Sequence, residues 1–144
     1  MKILILNGPN LNMLGIREPQ IYGTKTYSDL VDFCKKVCVE NDIEVEIKQS
    51  NHEGTLVDII QDAYNNMDAI VINAAGYTHT SVAIHDALKA VMLPVVEVHL
   101  SNPDERDEFR RVNFIRDTAI KTFKGEGFES YRKAVMFLKE ELKG

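Results

Sequence analysis

Short apolar runs alternate with amphipathic stretches along this chain. The runs at Ile3–Leu6 and Ala69–Ile72 are continuous and rich in β-branched residues, which is typical of strands covered on both faces. The pattern predicts five strands, at Ile3–Leu6, Ile43–Ile47, Ala69–Ile72, Val95–Val98 and, more weakly, Ala119–Phe123. Lysines interrupt the last run, which favours a strand at the edge of a sheet.

Between these runs, apolar residues recur at helical spacing and predict four helices. Their stripes are Tyr27, Leu30, Cys34, Val37 and Cys38; Leu56, Ile60, Ala63 and Tyr64; Val82, Ala83, Ala87, Ala90 and Val91; and Tyr131, Ala134, Val135, Leu138 and Leu142. Thr26 or Ser28 is expected to cap the first helix, and Thr80 the third. Strands that alternate with helices predict an α/β fold with a five-stranded parallel sheet and helices on both faces.

The composition narrows the class of protein. With 144 residues and no repeat or linker, the chain is expected to form a single domain, 1–144. The net charge is −5 without a basic block, so nucleic acid is not an expected partner. The apolar runs are too short to span a membrane, and the N-terminus lacks a signal-peptide layout, so a cytoplasmic protein is expected. Cys34 and Cys38 are interpreted as core residues, with a metal or redox pair as the weaker alternative.

A long polar segment follows the first strand. It runs from Asn7 to Gly23 and carries Asn, Arg and Tyr side chains spaced by Gly and Pro. Connections from strand to helix usually take about 2–6 residues, and longer loops in compact domains are often functional. The segment is therefore a candidate for part of a catalytic site.

Polar clusters also follow the next three strands. They are Ser50-Asn51-His52-Glu53, Asn73-Ala74-Ala75-Gly76-Tyr77-Thr78-His79-Thr80 and His99-Leu100-Ser101-Asn102. Ligands bind at the carboxyl ends of the strands in such sheets, so Asn73 and His99 are favoured as site residues over packed core residues.

Several other polar residues keep two interpretations at this point. His79 and Asp86 are seven residues apart and would share a helix face if the third helix starts early; otherwise they belong to a capping region with a solvated Asp. His85 is interpreted as structural and His52 as a loop residue. Among the arginines after Pro103, one could bind a carboxylate or diol, but spacing does not select it.

Tyr22 and Arg17 suggest a base and its activator. Loop tyrosines are usually packing anchors, but a guanidinium about 4–6 Å away could lower the pKa of the phenol by roughly 1–3 units and make it a usable base. Dinucleotide, P-loop and zinc motifs are absent from the sequence. The remaining Tyr, Arg, His and Asn suit proton abstraction beside a carbonyl without a cofactor or metal.

On these residues, the chain resembles the type II 3-dehydroquinate dehydratases over essentially its full length. The resemblance rests on four segments: Asn7–Gly23, Gln49–Gly54, Asn73–Ala83 and Glu97–Arg111. It implies a flavodoxin-like three-layer sandwich, a homododecamer built of trimers, and no cofactor. The implied reaction is the trans-dehydration of 3-dehydroquinate to 3-dehydroshikimate through an enolate, on the shikimate route to chorismate and aromatic amino acids.

The resemblance also implies a role for each matching residue. Tyr22 would be the base, Arg17 its activator, His99 the acid, and Asn10 a group that stabilises the enolate. The residues implied to hold the ring hydroxyls and the carboxylate are Asn73, His79, Asp86, Leu100, Ser101 and Arg110. Glu97 would support the acid without contacting the substrate itself.

The segment 121–127 is more polar than the family pattern, which leaves open how the fifth strand is covered. Three rival functions also stay open. One is a flavodoxin-like flavin or signalling module, and the second is another lyase or isomerase acting on a polyhydroxy carboxylate. The third is the Schiff-base form of the same dehydration. It needs a buried lysine, and no lysine is predicted at the carboxyl ends of the strands.

Overall fold

A computed structural model describes residues 1–16 and 24–143 of the chain. The strands in this part are β1 (Lys2–Asn7), β2 (Glu44–Gln49), β3 (Ala69–Asn73), β4 (Val95–His99) and β5 (Lys121–Lys124). The α-helices are α1 (Tyr27–Glu40), α2 (Glu53–Ala63), α3 (Val82–Val91) and α4 (Glu129–Glu141). None of these described helices is long and apolar enough to cross a membrane.

All five strands are parallel and lie in the order β2-β1-β3-β4-β5, which is the flavodoxin-like order. Alternate residues of each inner strand enter different cores: Ile3 and Ile5 pack with α1 and α4, whereas Leu4 and Leu6 pack with α2 and α3. The predicted three-layer sandwich is confirmed, and so is the position of β5 at an edge. Cys34 and Cys38 lie in the first of these cores as free thiols.

The predicted cap is confirmed in one helix and wrong in another. Thr26 caps α1 through a capping box with Asp29, but the cap of α3 is Ser81 rather than Thr80. Thr80 ends a 3-10 turn, while Ser81 has the extended backbone of a cap and accepts a hydrogen bond from Ile84 N–H at 2.9 Å. The buried stripe of α3 is consequently rotated towards larger side chains, and it consists of Ile84, Ala87, Leu88 and Val91. Burying isoleucine and leucine removes more apolar surface from water than burying the predicted alanines would.

Tyr64 and β5 also depart from the prediction. Tyr64 is 53% exposed because the chain leaves the helical conformation at this residue. Strand β5 ends at Lys124 rather than at Phe123, and Lys124 is the register partner of His99. A lysine therefore does lie at the carboxyl edge of the sheet, contrary to the prediction, where it forms an ion pair with Asp104.

Gly8 allows the two central strands to approach each other at their ends. Its N–H donates to the Asn73 carbonyl at 2.8 Å. A Cβ at this position would lie 2.4 Å from the carbonyl oxygen of Ala74, which belongs to the backbone and has no rotamer to change. Only glycine fits between the ends of β1 and β3 without displacing one of them.

We expect Gly8→Ala to lower the free energy of unfolding by roughly 1–3 kcal/mol or more, because the added methyl forces two backbone segments apart. Urea unfolding followed by circular dichroism measures this change. Gly54→Ala is the matched control, since a Cβ there meets nothing within 4 Å on helix α2. Equal stability of the two variants would contradict the close-packing argument.

Candidate active site

The carboxyl ends of β1 and β3 meet at the centre of the sheet. The connection after β1 leads to the edge strand β2, while the chain after β3 proceeds to the other side, so the strand order reverses here. Such a switch point leaves a crevice between the departing chains, where ligands of doubly wound sheets bind. Asn7 and Asn73 are register partners at this point.

A buried chain of hydrogen bonds fixes the two asparagines. The Tyr131 hydroxyl donates to Asn7 Oδ1 at 2.6 Å and accepts from Asn73 Nδ2 at 3.1 Å. Asn7 Nδ2 in turn donates to the Tyr27 hydroxyl at the start of α1. Complete burial raises the pKa of Tyr131 well above 10, so the phenol stays neutral and can both donate and accept.

The Asn73 side chain is oriented from its other end as well. Its Oδ1 accepts a hydrogen bond from Ala75 N–H at 3.1 Å. Ala75 has φ +53°, an uncommon conformation for a residue with a Cβ and one that is often found beside functional sites. With Oδ1 and one N–H engaged, Asn73 retains a second N–H as a donor for a ligand.

Asn10 begins the 3-10 turn that follows β1. Its backbone has φ 70°, in the left-handed region that asparagine tolerates, and its N–H donates to Asn51 Oδ1 at 3.0 Å. Gln49, at the end of β2, donates to the Gly8 carbonyl and also to Asn51 Oδ1. The ends of β1 and β2 are therefore joined by side-chain amides next to the Asn10 backbone.

His99 ends β4 and is paired with Glu97, two residues earlier on the same face of the strand. The Nε2 and Oε2 atoms are 2.6 Å apart, and His99 and Glu97 are 6% and 1% exposed. A carboxylate only accepts hydrogen bonds, so Nε2 carries the proton in this contact. Nδ1 is then the nitrogen through which His99 can exchange a proton with a ligand.

Glu97 is surrounded by donors. Oε2 accepts from Asn113 Nδ2 at 2.6 Å as well as from His99, and Oε1 accepts from Arg116 Nε at 3.2 Å and Thr122 Oγ1 at 2.9 Å. Burial by itself raises the pKa of a carboxyl group. The hydrogen bonds and charge of His99 and the bonds from Asn113 and Thr122 outweigh that effect and lower the pKa of Glu97 to about 2.

His79 lies in the 3-10 turn Ala75–His79 and donates from Nδ1 to the Val112 carbonyl at 2.6 Å. Burial lowers its pKa, and the positive charge of Arg110 lowers it further, although the bond to Val112 acts in the opposite direction. The ring is therefore neutral near pH 7, with Nε2 as an acceptor for a ligand hydroxyl. His99 acts on the pKa of His79 in the same direction as Arg110 does.

Arg110 belongs to the short turn Glu108–Arg111, where its Nε is 3.5 Å from Asp107 Oδ2 and its guanidinium lies over the Phe109 ring. Leu100 and Ser101 follow His99 and line a cavity of about 750 Å³, with Lys25 and Phe128 among its other lining residues. The Leu100 carbonyl accepts from Gly127 N–H at 3.0 Å, which ties this loop to the β5–α4 connection.

Asp86 occupies a different environment from His79. Helix α3 begins only at Val82, so the helix start needed for His79 and Asp86 to share a face is not present. Asp86 Oδ1 instead lies 3.0 Å from His85 Nδ1, and His85 Nε2 lies 3.2 Å from Asp117. These two carboxylates raise the pKa of His85. Asp86 itself is exposed.

Tyr22 and Arg17 lie outside the described residues, so their pairing stays a prediction. The described residues nonetheless include groups that the sequence reasoning missed. Asn113, Arg116 and Thr122 contact Glu97, and Tyr131 fixes Asn7 and Asn73. Glu97 was expected beside the acid only from the family resemblance, and the alternation of side chains along β4 explains why it shares a face with His99. Residues distant in sequence gave no comparable signal.

Residues 1–139 match the family model described as Dehydroquinase class II. The chain belongs to the class II dehydroquinase family.

The relatives are similar along nearly their whole length. The chain is 49% identical to the 3-dehydroquinate dehydratase of Clostridium acetobutylicum over 142 residues, covering 99% of both proteins. It is 52% identical to the enzyme of the same name from Fusobacterium nucleatum, covering 97% of both. The crystal structure of type II dehydroquinase from Butyrivibrio crossotus superposes with a TM-score of 0.94 at 48% identity, covering 96% of this chain and 97% of that one.

The low pKa of Glu97 predicts a specific dependence of stability on pH. A carboxyl group with a lowered folded-state pKa stabilises the fold above its unfolded pKa, here near 4.5, and loses this contribution as the pH falls towards about 2. We expect the stability advantage of the parent over Glu97→Gln to shrink by about 3 kcal/mol between pH 6 and pH 2.

Urea unfolding at a series of pH values measures this difference. Glu44→Gln is the control, since Glu44 is an exposed residue of the edge strand β2. A difference between parent and Glu97→Gln that stays constant from pH 6 to pH 2 would contradict the assignment of an ionised, hydrogen-bonded Glu97.

Proposed function

We propose that this chain dehydrates 3-dehydroquinate to 3-dehydroshikimate, in the shikimate pathway, as a cofactor-free hydro-lyase. The observation that carries the proposal is the buried His99–Glu97 pair at the end of β4, in a chain of this family. An imidazolium held through Nε2 by a fixed carboxylate can deliver the proton on Nδ1 to a leaving hydroxyl.

The elimination is divided between two residues on opposite sides of the substrate. Tyr22, as phenolate, takes the proton from C2, and the electron pair moves into the ketone to form an enolate. His99 protonates the C1 hydroxyl, which leaves as water while the enolate collapses to the conjugated ketone. The lowered phenol pKa that this requires would come from Arg17.

The remaining residues bind rather than react. Asn10 stabilises the enolate oxygen, and the backbone amides of Leu100 and Ser101 hold the carboxylate. Asn73, the neutral His79 and Arg110 take the ring hydroxyls; the free N–H of Asn73 and the acceptor Nε2 of His79 support such contacts. Asp86 is assigned to the same group, although its hydrogen bond here is with His85.

The catalytic unit in this proposal is the single domain 1–144, acting in the cytoplasm. Tyr22→Phe is expected to lower turnover by about 10²-fold or more, since general base catalysis contributes about 10²–10⁴-fold. Product binding should persist, because the ring contacts remain. Turnover is followed by the absorbance of the conjugated product, and binding by calorimetry.

Tyr64→Phe is the matched control, because it removes a phenolic hydroxyl at an exposed position. Turnover close to that of the parent in Tyr22→Phe would refute the base assignment.

The same assay with borohydride tests the Schiff-base alternative, which the position of Lys124 makes relevant. The enolate route predicts no loss of activity when substrate and borohydride are combined.

The proposal includes assembly of twelve copies into a homododecamer that is built of trimers. Phe109 and Val112 are 61% and 51% exposed and line a shallow cavity of about 710 Å³ beside Arg110, an apolar surface that a second copy could cover. We expect sedimentation velocity to give a single species of twelve copies of the 16.3 kDa chain. A monomer at micromolar concentration would contradict this assembly.

A further inference from the structure

Strand β5 places polar side chains on the face that it shares with Glu97. Thr122 is the register partner of Glu97, and Lys124 is the partner of His99. Phe123, between them, points to the opposite face and packs against Phe137 at 6.1 Å. Thr122 and Lys124 therefore lie beside the His99–Glu97 pair and are not simply solvent-exposed residues of an edge strand.

We propose that Thr122 and Arg116 are positioning residues for His99. By occupying Oε1 of Glu97, they hold the carboxylate as a fixed anion whose other oxygen, Oε2, binds the Nε2–H of His99. This inference rests on the proposed role of His99 as the acid.

The hydrogen bonds that Oε1 of Glu97 accepts help to fix the orientation of the whole carboxylate. An ionised carboxylate has about four acceptor sites, and Glu97 receives four hydrogen bonds, two on each oxygen. The group cannot rotate without breaking two of them. The donors on Oε1 also draw negative charge away from Oε2, the oxygen that binds the Nε2–H of His99.

Several charged and titratable groups surround the pair. Lys124 and Arg116 both approach Asp104 and lower its pKa, whereas the charge of Glu97 raises it. Burial lowers the pKa of His79, and so do Arg110, His99 and Arg106. Because threonine is uncharged, replacing Thr122 leaves the charge of all these groups unchanged and isolates the effect of one hydrogen bond.

Thr122→Val keeps the shape of the side chain and removes its hydroxyl. Without this donor, Glu97 binds the His99 N–H more strongly, and the protonated ring becomes more stable. We expect the titration midpoint of the His99 ring to move to higher pH, on the order of half a pH unit. Histidine labelled with ¹³C at Cε1 reports this midpoint by NMR in deuterated protein, with the His99 signal assigned by His99→Asn.

Three further variants complete the experiment. Thr122→Ser keeps the hydroxyl and should restore the parental midpoint. Thr118→Val is the matched control, since the Thr118 hydroxyl donates to the Ile115 carbonyl at 2.6 Å rather than to Glu97. Should Thr122→Val fail to fold, Arg116→Gln removes the other Oε1 donor and is expected to shift the midpoint in the same direction.

An unchanged His99 midpoint in a folded Thr122→Val or Arg116→Gln protein would overturn the inference, and so would an equal shift in Thr118→Val. The midpoint is read without substrate, so its outcome is separate from that of the proposed function. If His99→Asn retained turnover, the assignment of the acid would fail, while the shift in Thr122→Val would still show that Oε1 controls the His99–Glu97 pair.

Discussion

A buried negative charge must have its acceptor sites filled, and the Glu97 side chain, 1% exposed, meets this requirement with donors from several parts of the chain. His99 comes from the same strand, Thr122 from β5, and Asn113 and Arg116 from the connection between the two strands. The end of β4, the edge strand and this connection are therefore positioned by a single carboxylate. The orientation of the imidazole is a product of that arrangement.

A steric constraint acts at the centre of the sheet, where the ends of β1 and β3 approach each other. Gly8 permits the chains leaving β1 and β3 to lie against each other, and the phenol of Tyr131 links the two asparagines that end these strands. The left-handed backbone of Ala75 is maintained next to this contact. Rigid strand ends thus present Asn73 from one side of the switch point, while His99 is presented from β4.

The order of the elements was predictable because the apolar runs of β1 and β3 and the helical stripe of α1 are strong local signals. Local patterns were weaker signals where two alternative sets of residues had similar spacing. In α3 the buried stripe is set by the bulk of Ile84 and Leu88. In β5 the strand continues to Lys124, which pairs with His99 of β4 and forms an ion pair with Asp104. The positions of His99 and Asn73 at strand ends were predictable from the apolar runs that precede them. The contacts of Thr122 with Glu97 and of Tyr131 with Asn7 depend on how distant segments pack, which no local pattern encodes.

The Tyr131 hydroxyl has a consequence for the timing of folding. It lies 124 positions after Asn7 in the sequence and yet joins Asn7 and Asn73 in one hydrogen-bonded chain. During synthesis, the two asparagines leave the ribosome long before their phenolic partner does. A nascent chain can pair β1 with β3 early, but the amides at their ends acquire their final orientation only after α4 has emerged and docked. The site proposed at these strand ends is thus completed only when the last helix of the growing polypeptide has docked.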